Sequence, residues 1–191
     1  RRDAAGQRAG LLPGPAVQLY LIRHPAPQVA VGVCYGRTDL PLAEDVAAAA
    51  TRIAAQLPPR LAIYTSPLQR CQQLADALDP VPNSDSRLQE MNFGEWEMRP
   101  WNLIEREALD HWAADPLGYA PPQGESVGEL QRRVLHFLCE TQDRGLKSAA
   151  LVTHAGVMKV IVGRVQEMPP RQWMALKFDY ERVVCVDVES P

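Results

Sequence analysis

The sequence has no excess of basic charge, no paired cysteines, no long apolar run and no internal repeat, and each absence removes a class of protein. With 20 Lys and Arg against 23 Asp and Glu, the net charge is -3. A general nucleic-acid binder carries a basic face that neutralises phosphates, so no nucleic-acid partner is expected, although a local anion site remains open. Cys34, Cys71, Cys139 and Cys185 lie far apart with no Cys-x-x-Cys pair. That spacing suggests neither a zinc ribbon nor a disulfide framework, and a reducing cytoplasm is the default. No stretch approaches the roughly 20 apolar residues of a membrane helix, so no membrane partner is expected. Residues 1–16 mix Arg, Gly and Pro without apolar periodicity or the apolar core of a signal peptide, and are read as a mobile tail.

What is present suits one domain over residues 17–191. The chain is 46% hydrophobic and long enough to bury a substantial core. Four short apolar runs, Val17 to Ile22, Leu61 to Thr65, Ala149 to Thr153 and Val183 to Val188, read as strands buried on both faces. Between them lie helical patterns. Val46, Ala50, Ile53 and Leu57 form one stripe, stopped by Pro58 and Pro59. Val127, Leu130, Val134, Phe137 and Leu138 form another, opened by a capping box of Ser126 and Glu129. A third helix is predicted from Ser66-Pro67, with serine as N-cap and proline at N1, and a fourth after Ala155-Gly156. This alternation predicts an α/β fold of three layers, α/β/α, around a mostly parallel central sheet. Residues 88–124 differ, with Phe93, Trp96, Trp101, Trp112 and Tyr119 among acids and prolines. They read as a partly helical, partly irregular insertion covering the site as a lid, helical from about Trp101 to Ala114.

In parallel sheets, ligands bind outside the carboxyl ends of the strands, near helix N-termini. Three predicted strands stop at Arg23-His24, at Ser66 leading to Arg70, and at His154. Residues separated by long stretches of chain then share one pocket. Two guanidinium groups and two imidazoles in one crevice suit an anion, because the planar fork of arginine matches phosphate oxygens. Neutral imidazole can also act as a nucleophile toward phosphorus near pH 7. His111 and His136, on predicted helices among ordinary charges, are read as surface residues. The tryptophans are read as packing, and Cys71 as core.

LIRHP, SPLQRCQQLA, LQEMNFGEWE and VTHAGVMK, in this order, resemble the histidine phosphatase superfamily, also called phosphoglycerate mutase-like, over Val17 to Val188. The resemblance implies that His24 accepts the phosphoryl group while Arg23, Arg70 and His154 hold its oxygens. It makes Glu90 the general acid and base, with Glu95, Glu97 and Asp85 as alternatives. VCYGRTDLPL and QGESVGEL are similar to segments of α-ribazole phosphatases, which remove a 5′-phosphate in cobalamin synthesis. Gly36, Arg37 and Thr38 of the first segment are candidates for phosphate contacts through backbone N–H and side chain, unless Gly36 serves only a turn. One departure stands out, since the usual Arg-His-Gly triplet reads Arg23-His24-Pro25. Proline has no N–H to offer a phosphate, and it should turn the chain off the sheet and leave His24 exposed at the crevice.

The leading expectation is a metal-independent phosphomonoesterase, without cofactor, acting on a small phosphorylated metabolite. Three alternatives stand beside it: a phosphoglycerate mutase-type transferase, a noncatalytic phospholigand-binding member of the fold, and a metal site of His24, His154 and Glu90, disfavoured by the nearby arginines. The oligomeric state, monomer or homodimer, is left open.

Overall fold

The computed structural model describes residues 16–189, so the tail reading for the first residues lies almost wholly outside the described residues. The elements run β1 (Val17–Arg23), α1 (Val46–Ala54), β2 (Ala62–Thr65), α2 (Gln69–Leu78), β3 (Asn83–Ser84), α3 (Arg106–Ala114), α4 (Val127–Asp143), β4 (Ser148–Thr153), α5 (Ala155–Val165), α6 (Pro170–Trp173) and β5 (Val183–Val188). The strands form one sheet in the order β3-β2-β4-β1-β5. β1, β2, β3 and β4 are parallel, and β5 closes the β1 edge antiparallel.

The side chains on the two faces of the sheet build two cores. Leu19, Leu21, Ala149 and Leu151 pack against Val134, Phe137 and Leu138 of α4 and Val157 and Ile161 of α5. On the opposite face, Ile22, Ile63, Ala150 and Val152 meet Ala50 and Ile53 of α1 and Cys71 and Leu74 of α2. Burial of these apolar groups drives the layering, and the predicted α/β/α arrangement is the one observed. Among the described residues no helix is long and apolar enough to cross a membrane.

The helix ends follow local chemistry in most places. The Asp45 carboxylate caps α1 by accepting the Ala47 amide at 2.8 Å, and the capping box of Ser126 and Glu129 opens α4. The exception is α2. Its first helical residue is Gln69, not Pro67, and its N-cap, Leu68, gives no side-chain cap. The Asp39 carboxylate accepts the Gln69 amide at 2.8 Å instead. Ser66 keeps only a long contact to the Leu68 amide, 3.3 Å, because its hydroxyl lies 2.8 Å from His154.

Two further expectations are corrected. β5 alternates between half-buried and exposed positions, as an edge strand does, rather than being buried on both faces. The helix expected over about Trp101 to Ala114 is broken: a short 3-10 turn at Trp101–Leu103 is followed by extended residues before α3 begins. The two-residue β3 has no apolar pattern to announce it. Residues 88–124 hold two such 3-10 turns, Gly94–Trp96 and Trp101–Leu103, and α3, packed around a core of Cys34, Trp96 and Ile104.

Candidate active site

The register of the sheet brings the distant histidines together. Arg23, the last residue of β1, pairs with Thr153, the last residue of β4, so His24 and His154 occupy equivalent positions one residue past the sheet. The His24 amide donates to the Thr153 carbonyl at 3.2 Å. The rings lie 5.0 Å apart, centroid to centroid, at 62°. On the other side of β4, Thr65 pairs with Val152, which sets Ser66 beside His154. Two ladders thus align three strand ends within reach of one small anion.

The His24 ring is held in a single orientation. Its Nδ1 lies 2.6 Å from the Pro25 carbonyl oxygen. A carbonyl can only accept, so the proton sits on Nδ1, and Nε2 keeps its lone pair. Proline removes an amide at this position but keeps the carbonyl that sets the tautomer. The expectation that Pro25 leaves His24 exposed is not met: the ring is 1% exposed, enclosed by His154 and by Tyr180, whose ring lies 5.7 Å away.

Burial, then the guanidinium groups of Arg70 and Arg23, push the His24 pKa down to about 3, against the raising effect of the Pro25 hydrogen bond. Burial, followed by His24 and Arg70, likewise holds His154 well below the usual imidazole range. Both rings are therefore neutral at physiological pH, the state a nitrogen nucleophile requires. The consequence for stability has a definite sign. In the unfolded chain an imidazole titrates near 6.5. Below that pH the unfolded state binds protons that the folded state refuses, so stability falls as pH drops from about 6.5 toward the folded value of about 3 for His24. The slope approaches about 1.4 kcal/mol per pH unit for each ring that stays neutral. Between pH 6.5 and 5, above the range of ordinary carboxylates, His24→Asn should flatten the fall in Tm. An unchanged slope in that window would mean that the ring is not a buried neutral imidazole.

Arg70 is wholly buried, with 0% exposure, at the second residue of α2. A cation there opposes the helix dipole, and among the described residues no carboxylate pairs with it. Its guanidinium donates instead to the carbonyls of Gly36, at 2.6 Å, and Thr38, at 2.8 Å, while its Nε is buried without an acceptor. Asp76, on the same helix, accepts from Gln72, its i,i−4 neighbour. Arg23 donates to the Phe178 carbonyl and lies over the Tyr180 ring at 3.9 Å, and its Nε too is buried without an acceptor.

The loop of Gly36, Arg37 and Thr38 differs from expectation. The backbone amides of Arg37 and Thr38 do not face open space for a phosphate. They donate to the Glu97 carboxylate at 2.9 and 2.6 Å, and the Thr38 hydroxyl and Phe93 amide join them. These four donors hold the Glu97 carboxyl below its usual range against the desolvation that raises it. The loop therefore presents its N–H groups to an anion and its carbonyls to a cation, and the Gly36–Arg37 peptide unit links Glu97 directly to Arg70. Gly36 serves packing, since a Cβ there would lie 1.9 Å from the Met91 carbonyl oxygen. The Arg37 side chain turns to Glu125 at 3.4 Å.

Glu90 is set at the N-terminus of α5. Its carboxylate accepts the Met91 amide at 2.9 Å and the Gly156 amide at 3.1 Å. A Cβ at Gly156 would sit 2.1 Å from Glu90 Oε1, so any larger residue there would displace this carboxylate. Behind it, Arg133 donates to the carbonyls of Arg87, Gln89 and Glu90 and pairs with Glu125 at 2.6 Å, which pins the segment. Of the alternative acids, Asp85 pairs with Arg87, Glu95 accepts from Gln123, and Glu97 is enclosed in its loop. Glu90, with Arg23, lines a cavity of about 400 Å3. No group of His, Cys, Asp or Glu suited to a metal ion occurs among the described residues, so the set of His24, His154 and Glu90 does not converge as ligands.

Matching by family finds the histidine phosphatase superfamily (branch 1) over residues 19–190. The chain belongs to that superfamily. With it comes its enzyme class, the histidine phosphatases, hydrolases of phosphoric monoesters. Among the relatives of this phosphatase is one named putative phosphoserine phosphatase 2, of Hydrogenobacter thermophilus, 30% identical over 76% of each chain. Another, named adenosylcobalamin/α-ribazole phosphatase, of Salmonella typhimurium, is 27% identical over 80% of this chain and 81% of its own. The crystal structure of the α-ribazole phosphatase from Shigella flexneri matches with a TM-score of 0.76 at 26% identity, covering 90% of this chain and 91% of that one.

Sequence reasoning gave Ser66 only a capping role and Glu97 only that of an alternative acid, and it did not single out Tyr180, Glu125, Arg133 or Lys159. Each acts through a partner far away in sequence, and only Glu125, beside the capping serine of α4, carried a local signal. Exposed His111 and His136 lie on α3 and α4, as read from sequence. Cys71 is fully buried, 3.4 Å from His154 Nε2.

Proposed function

We propose that this histidine phosphatase is a metal-independent phosphomonoesterase working through a phosphohistidine at His24, and that its physiological substrate is α-ribazole 5′-phosphate in cytoplasmic cobalamin synthesis. The observation that carries the chemistry is the His24 ring, its Nδ1 tied to the Pro25 carbonyl at 2.6 Å, beside two buried guanidinium Nε–H groups without acceptors.

In the first step the Nε2 lone pair of His24 attacks phosphorus, the ester P–O bond breaks, and Glu90 gives its proton to the leaving oxygen. In the second, Glu90 takes a proton from water as the water oxygen attacks phosphorus. The N–P bond then breaks, returning neutral His24 and inorganic phosphate. Arg23, Arg70 and His154 stabilise the charge on the transferring group. The guanidinium groups supply the positive charge that a metal ion supplies in other phosphatases, so chelators are expected to leave turnover unchanged. Residues 88–124 form the cover over the leaving group.

The α-ribazole assignment is supported by the relatives carrying that name and by the VCYGRTDLPL and QGESVGEL segments. It is tested by measuring phosphate release from α-ribazole 5′-phosphate, O-phosphoserine, 3-phosphoglycerate and sugar phosphates. The highest kcat/KM is expected for α-ribazole 5′-phosphate. Isomerisation of 3-phosphoglycerate outrunning phosphate release would replace the reading with a mutase, and binding of these esters without turnover would replace it with a phospholigand-binding module.

A further inference from the structure

The cavity lined by Arg23 and Glu90 is far larger than a phosphoryl group requires. Most of the remaining wall is apolar, with Phe93, Trp101, Trp112 and Trp173 set among aliphatic side chains. Phe93 meets Trp101 edge to face at 5.5 Å and Trp112 at 6.0 Å, and the two indoles stack at 6.3 Å and 22°. These contacts fix the rings against one another, so the wall is formed without a ligand. Lys159 is the second cation of the lining, with its ammonium donating to the Met174 carbonyl at 3.2 Å.

Such a wall discriminates among leaving groups. A polyol or an amino acid would lose hydration against it with few partners in return. A planar ring gains both area burial and the stacked or edge-on contacts that aromatic pairs prefer, and a single polar group then fixes its orientation. We infer that the chamber binds the leaving group of the substrate, and that this group carries a planar aromatic ring system with a hydrogen-bond acceptor for Lys159. The inference rests on the phosphatase reading of the adjacent site and extends it by naming Trp101, Trp112 and Lys159 as specificity residues.

Steady-state kinetics with phenyl phosphate and 1-naphthyl phosphate, whose leaving groups are of similar acidity, test the wall. The naphthyl ester should have a kcat/KM about 10-fold higher. Trp112→Leu and Trp101→Leu, each checked for folding by circular dichroism, should reduce that ratio to about 2 or less. A ratio near one in the wild type, or one unmoved in both folded variants, overturns the assignment. Lys159→Met should lower kcat/KM for 4-methylumbelliferyl phosphate, whose ring carries a carbonyl, about 10-fold more than for 1-naphthyl phosphate. Equal losses overturn the role of Lys159. Calorimetry on the His24→Ala protein separates the chamber from the chemistry. Tighter binding of 1-naphthyl phosphate than of inorganic phosphate supports the chamber even if no ester is ever turned over. Turnover of polar esters in the wild type, with no such margin in the variant, sinks the chamber and leaves the phosphatase standing.

Discussion

Replacing His24 by alanine is expected to abolish turnover of a small aryl phosphate, with a loss on the order of 10^4-fold or more, while the fold survives. The size follows from the role, because the two displacement steps share one nitrogen and no neighbour can replace it. Residues acting as one catalytic unit lose most of their effect when any member is removed. Cys71 cannot substitute, because burial pushes its thiol well above the usual range. His154 cannot either, because its Nε2 is engaged by Ser66 and Cys71. Survival of the fold follows from the position of the ring. It sits past the end of β1, outside the two apolar cores, and it costs stability in acid rather than supplying it. Phosphate release and the melting curve of the variant are the measurements. Turnover within 10-fold of the wild type would remove His24 as the acceptor. An incubation of wild-type protein with substrate followed by alkaline quench should retain label on the acid-labile N–P bond, and the variant should retain none.

The second large effect is at Arg70. A fully buried guanidinium bound only by peptide carbonyls is electrostatically costly, since several kcal/mol of desolvation are not repaid by a carboxylate. An incoming phosphate dianion supplies the missing charge. Anion binding should therefore raise Tm in proportion to RT ln(1 + [L]/Kd). In Arg70→Met this rise should disappear and kcat/KM should fall about 10^3-fold, the scale of losing one preorganised donor to a developing oxyanion. Arg70→Lys should recover little, because a single ammonium cannot span the Gly36 and Thr38 carbonyls and a phosphate oxygen together. A vanadate-induced Tm rise of wild-type size in Arg70→Met would show that the anion is held elsewhere.

The Glu97 loop explains why Arg70 remains free for that work. Were the arginine paired directly with a carboxylate, its charge would be neutralised before substrate arrived. Here Glu97 is separated from it by the peptide units of residues 36–38. The carboxylate orients the peptides, the peptides orient the guanidinium, and its charge stays available.

The order of β1, β2, β4 and β5, the two apolar helical stripes and the capping box of α4 were legible in the chain because periodicity and capping are local. So was the placement of His24 and His154 at strand ends and of Arg70 at a helix start, since such ends can be located from apolar runs and their interruptions. The start of α2 was misread because Ser66 has a competing partner, His154, contributed by another strand. The phosphate role expected of the Arg37 and Thr38 amides gave way to Glu97 for the same kind of reason: a donor goes to the strongest acceptor that folding brings near. The burial of His24, and with it the neutral ring, came from Tyr180 and from the opposing histidine, both more than a hundred residues away. Apolar pattern in the linear chain determines which segments become elements and which residues fall at their ends. Register decides which ends meet, and only when they have met do charge, burial and competition for hydrogen bonds assign each group its protonation state and its partner.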